Sequence, residues 1–268
     1  MSDAILGSAA KQASSKRKKE HLETTLNETV EFKEVTTGLD DYRFVHQALP
    51  EVDLAHIDLS ALLFGKKLGA PLVISSMTGG IEAARQINRN LARAAQAMGV
   101  AMGVESQRSA IDDPRTASTY EVRDIASDIL LFANLGAVQL NYGYGVSECR
   151  QAVHMIGADA LILHLNPLQE ALQHDGNTNF TGLLTRIEQV CQELPIPVIV
   201  KEVGWGISET IARKLADAGV AGIDVAGAGG TCWSEVERYR VHTDMDSNIT
   251  TTFASWGIPT SDSIKMVR

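Results

Sequence analysis

The chain has 268 residues and a formal net charge of −9, with 44% hydrophobic and 21% charged side chains. This is the composition of a globular protein, and its acidity argues against a general nucleic-acid-binding surface, which would be basic. The apolar runs are much shorter than the roughly 20 residues of a membrane-spanning helix, so we expect no membrane span. Three widely separated cysteines and the absence of a secretory signal pattern predict a cytoplasmic protein without a disulfide framework.

The sequence divides into three parts. Residues 1–15 are small and polar, and they are predicted to form a flexible tail. Residues 16–69 begin with the basic run Lys16–Lys19 and continue through irregular sequence with turn signals, which predicts a basic arm and a cap. Residues 70–268 alternate apolar runs with amphipathic patterns, and we interpret them as the main domain.

Six apolar, strand-like runs recur through this domain at a spacing of about thirty residues. They lie at residues 71–75, 100–104, 129–133, 160–165, 197–201 and 222–225. Amphipathic helical patterns separate several of them, at residues 83–98, 182–194 and 208–218. Continuous apolar strands that alternate with helices indicate βα units around a parallel sheet buried on both faces.

The polar residues that follow these runs favour a barrel over an open, doubly wound sheet. In a closed barrel, all the strand ends converge on one rim, whereas an open sheet confines its site to the point where the strand order switches. The chain contains six of the eight expected units. We therefore expect an α/β fold of the TIM (β/α)8 type with about the last two βα units absent from this chain.

Several predicted strand ends carry candidate functional residues. Residues 76–80 combine hydroxyls with a double glycine, which lets backbone amides approach a planar ring or a phosphate, although a tight turn is an equal alternative. Lys201 ends a strongly apolar strand, where it would face the barrel mouth and hold an anion or a ring edge. Its alternative role is a salt bridge with a neighbouring carboxylate.

A second cluster lies within residues 164–170, which contain a histidine, two amide side chains and a single carboxylate. One carboxylate with amide oxygens is a donor set suited to Mg²⁺, which keeps several waters and also binds substrate phosphates. The basic run Lys16–Lys19 is typical of a solvated face, unless a diphosphate must be bound in this otherwise acidic protein.

Together these residues resemble the type 2 isopentenyl-diphosphate isomerases, which are FMN-dependent barrels. The resemblance extends from about Arg17 to the end of the chain, and it rests on ordered motifs rather than on any single one. The motifs are RKKEH at 17–21, TGLDD at 37–41, MTGG at 77–80, SQ at 106–107, FANLG at 132–136, HLN at 164–166, QE at 169–170, VKEVG at 200–204, GGT at 229–231 and SWG at 255–257.

The resemblance implies reversible conversion of isopentenyl diphosphate into dimethylallyl diphosphate in isoprenoid biosynthesis. It implies FMN, Mg²⁺ and NAD(P)H as the reductant of the flavin, and a homo-oligomer that is a tetramer or larger. It assigns contacts with FMN to Ser76, Met77, Thr78, Ser106, Asn134, Lys201 and Thr231. It assigns the substrate to Arg17, Lys18, Ser106, Gln107, Arg108, His164 and Gln169. Gln169 and His164 are the candidate catalytic residues, and Glu170 is the candidate ligand of Mg²⁺.

The implied reaction protonates an alkene, so it needs a strong acid, an electron-rich neighbour for the cation that forms, and a site without water. Reduced FMN would face the cation, and Gln169 is expected to position or relay the proton. Two alternatives remain open, another FMN-dependent oxidoreductase of the same barrel class and a truncated, non-catalytic remnant. The two absent units leave the activity of the isolated chain in question.

Overall fold

The computed structural model describes residues 16–240 and 244–268. The predicted tail at residues 1–15 lies outside these ranges. The strands are β1 (Ala61–Leu63), β2 (Lys66–Leu68), β3 (Val73–Ile74), β4 (Ala101–Gly103), β5 (Leu131–Gly136), β6 (Ala160–Leu165), β7 (Val198–Glu202) and β8 (Gly222–Asp224). Each of the six predicted apolar runs overlaps one of the strands from β3 to β8.

The helices alternate with these strands. Helix α1 covers residues 16–27. The others are α2 (Glu82–Met98), α3 (Arg108–Asp112), α4 (Val146–Ile156), α5 (Pro167–Leu172), α6 (Leu183–Glu193), α7 (Glu209–Asp217), α8 (Trp233–Arg238), α9 (Asp244–Thr252) and α10 (Thr260–Val267). Within the described ranges, no helix has both the length and the apolar content needed to cross a membrane.

Helix α2 illustrates how the sequence sets these elements. Small apolar residues recur on one face, where Ala84, Ala92 and Ala95 are fully buried, while charged residues occupy the opposite face. The helix ends at Gly99, which adopts a left-handed conformation with φ of 64° that costs glycine little.

Strands β3 to β8 form one parallel sheet in sequence order, and β1 and β2 form a separate antiparallel hairpin. The sheet curls so that its outermost strands approach each other at their carboxyl ends. The Ser75 hydroxyl, just after β3, donates to Asp224 Oδ2 at the end of β8 over 3.2 Å. The expected incomplete (β/α) barrel is confirmed, with six parallel strands.

The curled sheet has an apolar core on each face. The larger core lies between the sheet and the helices. A smaller core fills the inside of the curl, where Phe132, Ile162 and Ile199 pack together with Phe64 and Leu68 of the hairpin region. The hairpin therefore closes the amino ends of the strands, which leaves the carboxyl ends as the open mouth of the barrel.

Residues 42–62, here called the apolar segment, run from the rim into the first two residues of β1 and have little regular structure before that strand. They include a single short 3-10 helix, Leu54–His56, and most of their large apolar side chains face water. The exposed side chains are Tyr42, Phe44, Val45, Leu49, Val52, Leu54, Ile57, Leu59 and Leu62. An apolar surface of this extent typically marks a contact with another polypeptide.

Candidate active site

The inner face of the sheet becomes polar at the barrel mouth. Gly136, His164, Lys201 and Asp224 are successive partners in the registers of β5 to β8. Because neighbours in register point to the same face of a parallel sheet, the side chains of His164, Lys201 and Asp224 share the inside of the rim. A cavity opens at this level, and helix α1 lies against it through Arg17, Lys18 and His21.

His164 is held as a neutral imidazole in one tautomer. Its Nδ1 lies 2.9 Å from Asn134 Oδ1, which only accepts hydrogen bonds, so Nδ1 carries the proton. Burial, together with the positive charges of Lys201 and Lys18, lowers the pKa of His164 to about 3. At neutral pH its Nε2 is therefore a hydrogen-bond acceptor and not an acid.

Lys201 is buried at the end of β7, as its sequence position predicts for a residue at the mouth. Its Nζ donates to the Glu202 carbonyl oxygen over 2.7 Å and lies 3.9 Å from Asp224 Oδ2. The Glu202 carboxylate instead accepts from backbone N–H groups, among them that of Gly204 at 2.6 Å. The ammonium therefore keeps donors available for a ligand in the mouth.

A buried carboxylate that no sequence pattern singles out lies beside Gln169. Glu237 Oε1, on α8, accepts from Gln169 Nε2 at 3.2 Å and from Gln173 Nε2 at 2.9 Å, and lies 3.0 Å from His21 Nε2. Burial acts to raise the pKa of Glu237, but His21 and Arg240 outweigh it and the pKa lies below its usual value. Glu237 is thus an anion that orients the Gln169 amide.

Glu170 and Asn166 offer a set of oxygen donors. Glu170 Oε1 accepts from Asn166 Nδ2 at 3.0 Å, and its Oε2 accepts from the Asn177 backbone at 2.5 Å. Asn166 Oδ1 is buried without a hydrogen-bond partner. Over residues 16–240 and 244–268, no group of three or more His, Cys, Asp or Glu side chains is placed to hold a metal ion. The donor set fits Mg²⁺ only when water and phosphate oxygens complete the shell.

Five of the seven residues predicted to contact FMN line the cavity, and they are Ser76, Met77, Ser106, Asn134 and Lys201. Ser76 Oγ is buried and has no hydrogen-bond partner. Because a buried hydroxyl without a partner is costly, this atom favours a polar ligand at the cavity. A free hydroxyl, an amide and an ammonium around one opening fit the heteroatoms at the edge of a flavin ring.

The predicted substrate residues other than Gln107 also line the cavity, and they are Arg17, Lys18, Ser106, Arg108, His164 and Gln169. The Arg17 guanidinium donates to Gln173 Oε1 at 3.1 Å, and burial is the main reason that its pKa is lowered. Arg108 donates to Asn177 Oδ1 at 3.1 Å. Because a guanidinium has five N–H donors, both arginines keep donors for an anion.

Three predicted residues do not line the cavity. Gln107 is fully buried, where its Nε2 donates to the Ala152 carbonyl at 2.8 Å and its Oε1 accepts from the Asn134 backbone at 3.1 Å. Thr78 is half-buried beside α2, and Thr231 is exposed and pairs with Glu31 in an isolated β-bridge. A sequence position after a strand does not tell which way the following loop turns its side chains.

The glycine-rich loop after β8 packs against another segment of the same chain, and it does not line the cavity. Gly229 has φ of 120°, and a Cβ there would lie 2.1 Å from the Thr37 backbone nitrogen. The Phe32 backbone N–H donates to the Gly230 carbonyl oxygen at 3.0 Å. The glycine at position 229 therefore permits the segment that follows α1 to pack closely on the loop.

A sequence profile of the FMN-dependent dehydrogenase family matches residues 10–119. The isopentenyl-diphosphate delta-isomerase of Nostoc sp. is 55% identical over 252 residues, which covers 94% of this chain and 72% of the relative. The enzymes of the same name from Synechococcus sp. and Rickettsia canadensis are 55% and 50% identical, covering 97% and 94% of this chain and 75% and 73% of the relatives. This chain belongs to the isopentenyl-diphosphate delta-isomerase family.

A solved structure supports the fold of this family member. An active chimera of (S)-mandelate dehydrogenase superimposes with a TM-score of 0.52 at 17% identity, covering 81% of this chain and 69% of that one. At this identity the similarity concerns the barrel fold alone, because one barrel carries many different chemistries.

Proposed function

We propose that this protein is an FMN-dependent isomerase that interconverts isopentenyl diphosphate and dimethylallyl diphosphate in isoprenoid biosynthesis. The observation that carries the proposal is its 55% identity, over 94% of the chain, to an enzyme named for isopentenyl diphosphate. The barrel mouth also supports the proposal, because hydrogen-bond donors suited to a flavin and cationic side chains suited to a diphosphate face the same cavity.

The anionic end of the substrate is assigned to Arg17 and Arg108, whose guanidinium groups match phosphate oxygens in pairs. Mg²⁺ would bind through Glu170 and the unpartnered oxygen of Asn166, and would be completed by phosphate oxygens and water. With the diphosphate fixed in this way, the alkene end lies deeper in the mouth, below the arm. Helix α1 covers the cavity and excludes water from the reacting carbon atoms.

The flavin would lie against Ser76, Met77, Ser106, Asn134 and Lys201. When bound in its reduced form, it supplies electron density that stabilises positive charge on the substrate and a site that exchanges a proton with it. Gln169 holds its amide toward the cavity through its hydrogen bond with Glu237, so it can orient or relay the proton. His164 acts as a neutral acceptor that orients a ligand.

Several finer properties belong to this proposal. The reductant of the flavin is NAD(P)H, the enzyme works in the cytoplasm, and it assembles as a homo-oligomer of four or more subunits. The runner-up reaction, oxidation of a hydroxy acid by the same class of barrel, needs a base close to the flavin. Because the pKa of His164 is lowered to about 3, its imidazole is a poor base for that reaction.

The decisive experiment is an anaerobic isomerase assay of the purified chain with FMN, Mg²⁺ and NADPH, after a flavin absorbance spectrum. Formation of dimethylallyl diphosphate by flavin-loaded protein supports the proposal. A parallel assay with a 2-hydroxy acid and an electron acceptor tests the runner-up. If flavin and activity are both absent, the stretch of the Nostoc relative that the match leaves uncovered is appended. Failure of that fusion to bind flavin and isomerise the substrate would overturn the proposal.

A further inference from the structure

Asn177 lies on the loop that joins α5 to α6, behind the residues that line the cavity. Its Oδ1 accepts from Arg108 Nη1 at 3.1 Å and from Gln139 Nε2 at 3.0 Å. Because a guanidinium can only donate, the atom that faces Arg108 is the amide oxygen. The backbone N–H of Asn177 donates to Glu170 Oε2 at 2.5 Å. One residue outside the cavity therefore contacts three side chains that line it.

These three side chains belong to neighbouring segments of the rim. Arg108 begins α3 after β4, Gln139 lies in the 3-10 turn after β5, and Glu170 lies on α5 after β6. Strands β4, β5 and β6 are adjacent in the sheet. Asn177 thus connects the segments that follow three successive strands.

The loop that carries Asn177 is held on both sides. On one side, Gly176 packs against the backbone of Glu170, where a Cβ would lie 1.8 Å from the carbonyl oxygen. On the other side, Asn141 Nδ2 donates to the Asn179 carbonyl oxygen at 2.9 Å. The rest of the fold therefore sets the position of the Asn177 backbone and amide.

The outer two contacts restrict the two groups assigned to the diphosphate and to Mg²⁺. Glu170 Oε1 already accepts from Asn166, so the N–H on Oε2 fixes the plane of the carboxylate. The side chain of Arg108 is 40% exposed, and a long exposed side chain loses conformational entropy when a ligand orders it. The neutral oxygen of Asn177 orients this guanidinium without cancelling its charge, and the other N–H groups stay available for phosphate.

We infer that Asn177 is a positioning residue that holds the Arg108 guanidinium and the Glu170 carboxylate in fixed relation to each other. One diphosphate with its Mg²⁺ then contacts both groups, the phosphate oxygens at the arginine and the metal at the carboxylate, while Asn177 contacts neither. The inference rests on the proposed function for the ligands of Arg108 and Glu170. It adds a residue that no motif in the sequence marks.

The test measures the binding of inorganic pyrophosphate to the chain by calorimetry with saturating FMN, once in EDTA and once in Mg²⁺. The Kd without metal reports the arginine contact, and the factor by which Mg²⁺ tightens binding reports the carboxylate contact. Arg108→Ala and Glu170→Gln calibrate these two readouts. Neither readout requires isomerase activity.

Two variants disturb the positioning contact in different ways. Asn177→Ala removes the acceptor of Arg108, and Gly176→Ala keeps the amide but pushes the turn away from the Glu170 backbone. Asn179→Ala is the matched control, because it removes the same side chain from the same loop at an exposed position. The Asn179 side chain accepts from the Thr181 backbone at 3.1 Å, within its own turn.

Arg108→Ala should raise the Kd without metal by about tenfold or more and leave the Mg²⁺ factor nearly unchanged, and Glu170→Gln should do the reverse. Asn177→Ala should show both defects, each by about three- to tenfold, because one hydrogen bond to a charged group is lost and the other is displaced. Gly176→Ala should follow the same pattern. Asn179→Ala should change neither readout.

A defect confined to one readout would overturn the inference. If Asn177→Ala weakens pyrophosphate binding but keeps the full Mg²⁺ factor, Asn177 serves Arg108 alone. Wild-type binding in both loop variants would also overturn it. A wild-type chain that binds Mg²⁺ and pyrophosphate with the expected responses, but neither binds nor isomerises isopentenyl diphosphate, would contradict the proposed function and leave the role of Asn177 in place.

Discussion

His164 Nδ1 lies 2.9 Å from Asn134 Oδ1, and this contact ties the ends of β5 and β6 together inside the barrel mouth. The contact fixes the tautomer of an imidazole whose pKa is lowered to about 3. An unfolded chain would bind a proton at that histidine near its ordinary pKa of about 6.5. Between about pH 3 and pH 6.5, His164 is therefore neutral in the folded protein and protonated in the unfolded chain.

The first prediction concerns acid stability. In that interval the unfolded state binds more protons, so the contribution of His164 to stability is present above pH 6.5 and is lost as the pH falls toward 3. Between pH 6.5 and 5 the free energy of unfolding should fall by about 2 kcal/mol through this group. Urea unfolding of wild type and His164→Gln over this range measures it. A loss as steep in the variant as in wild type would assign the effect to other groups.

The second prediction separates Gln169 from its neighbour. Both Gln169 and Gln173 donate to Glu237 Oε1, so Gln173→Leu controls for the disturbance of that carboxylate. Gln169→Leu should lower kcat by about 100-fold or more, the range for a lost proton-transfer group, without a comparable loss of FMN affinity. Single-turnover rates and flavin titration provide the comparison. Equal losses in rate and flavin affinity would show that the residue supports the flavin site instead.

A third prediction follows from the position of Gln107. Gln107→Leu removes the acceptor of the buried Asn134 N–H and one of the donors to the Ala152 carbonyl oxygen, which should cost about 2 kcal/mol of unfolding free energy. Gln96 also makes two hydrogen bonds, both to Asp128, at a position reached by water. Gln96→Leu should therefore cost less than about 1 kcal/mol. If the Gln107 variant is as stable as wild type but binds the substrate more weakly, Gln107 is a substrate ligand and not a structural residue.

The fourth prediction uses two adjacent glycines. Gly229→Ala places a methyl group on the Thr37 backbone, so it should destabilise the chain by more than about 2 kcal/mol and expose residues 30–37 to protease. A Cβ added at Gly230 would have no neighbouring atom within 4 Å. Gly230→Ala should stay within about 0.5 kcal/mol of wild type. If both variants behave alike, the loop does not hold the segment that follows α1.

Much of the fold was predictable because continuous apolar runs dominate a parallel sheet. The same reasoning brought His164, Asn134 and Lys201 to one rim, since the ends of parallel strands meet there. The contacts of Tyr120 and Glu237 could not be read in this way. Tyr120 meets Lys18 across 102 positions of sequence, and Glu237 meets His21 across 216. No local pattern marks partners that only the tertiary fold brings together.

The double glycine at residues 79–80 shows how a correct signal can have a different cause. Its sequence position suggested an approach of the backbone to a ring or a phosphate. In the structure, the ring that approaches Gly79 belongs to Tyr120. Glycine there reports a close contact, and the sequence does not say whether the partner is a ligand or the protein itself.

The apolar segment has a consequence for how the protein behaves in solution. Phe44 and Leu54 are among the most exposed of its large side chains, and a water-exposed apolar surface of this kind promotes association between molecules. Hydrophobic association strengthens on warming from low temperature, so dilute cold samples should be monodisperse and concentrated warm samples turbid. Serine at these two positions should delay the turbidity. Purification and flavin loading are therefore best performed in the cold, where hydrophobic association through this surface is weakest.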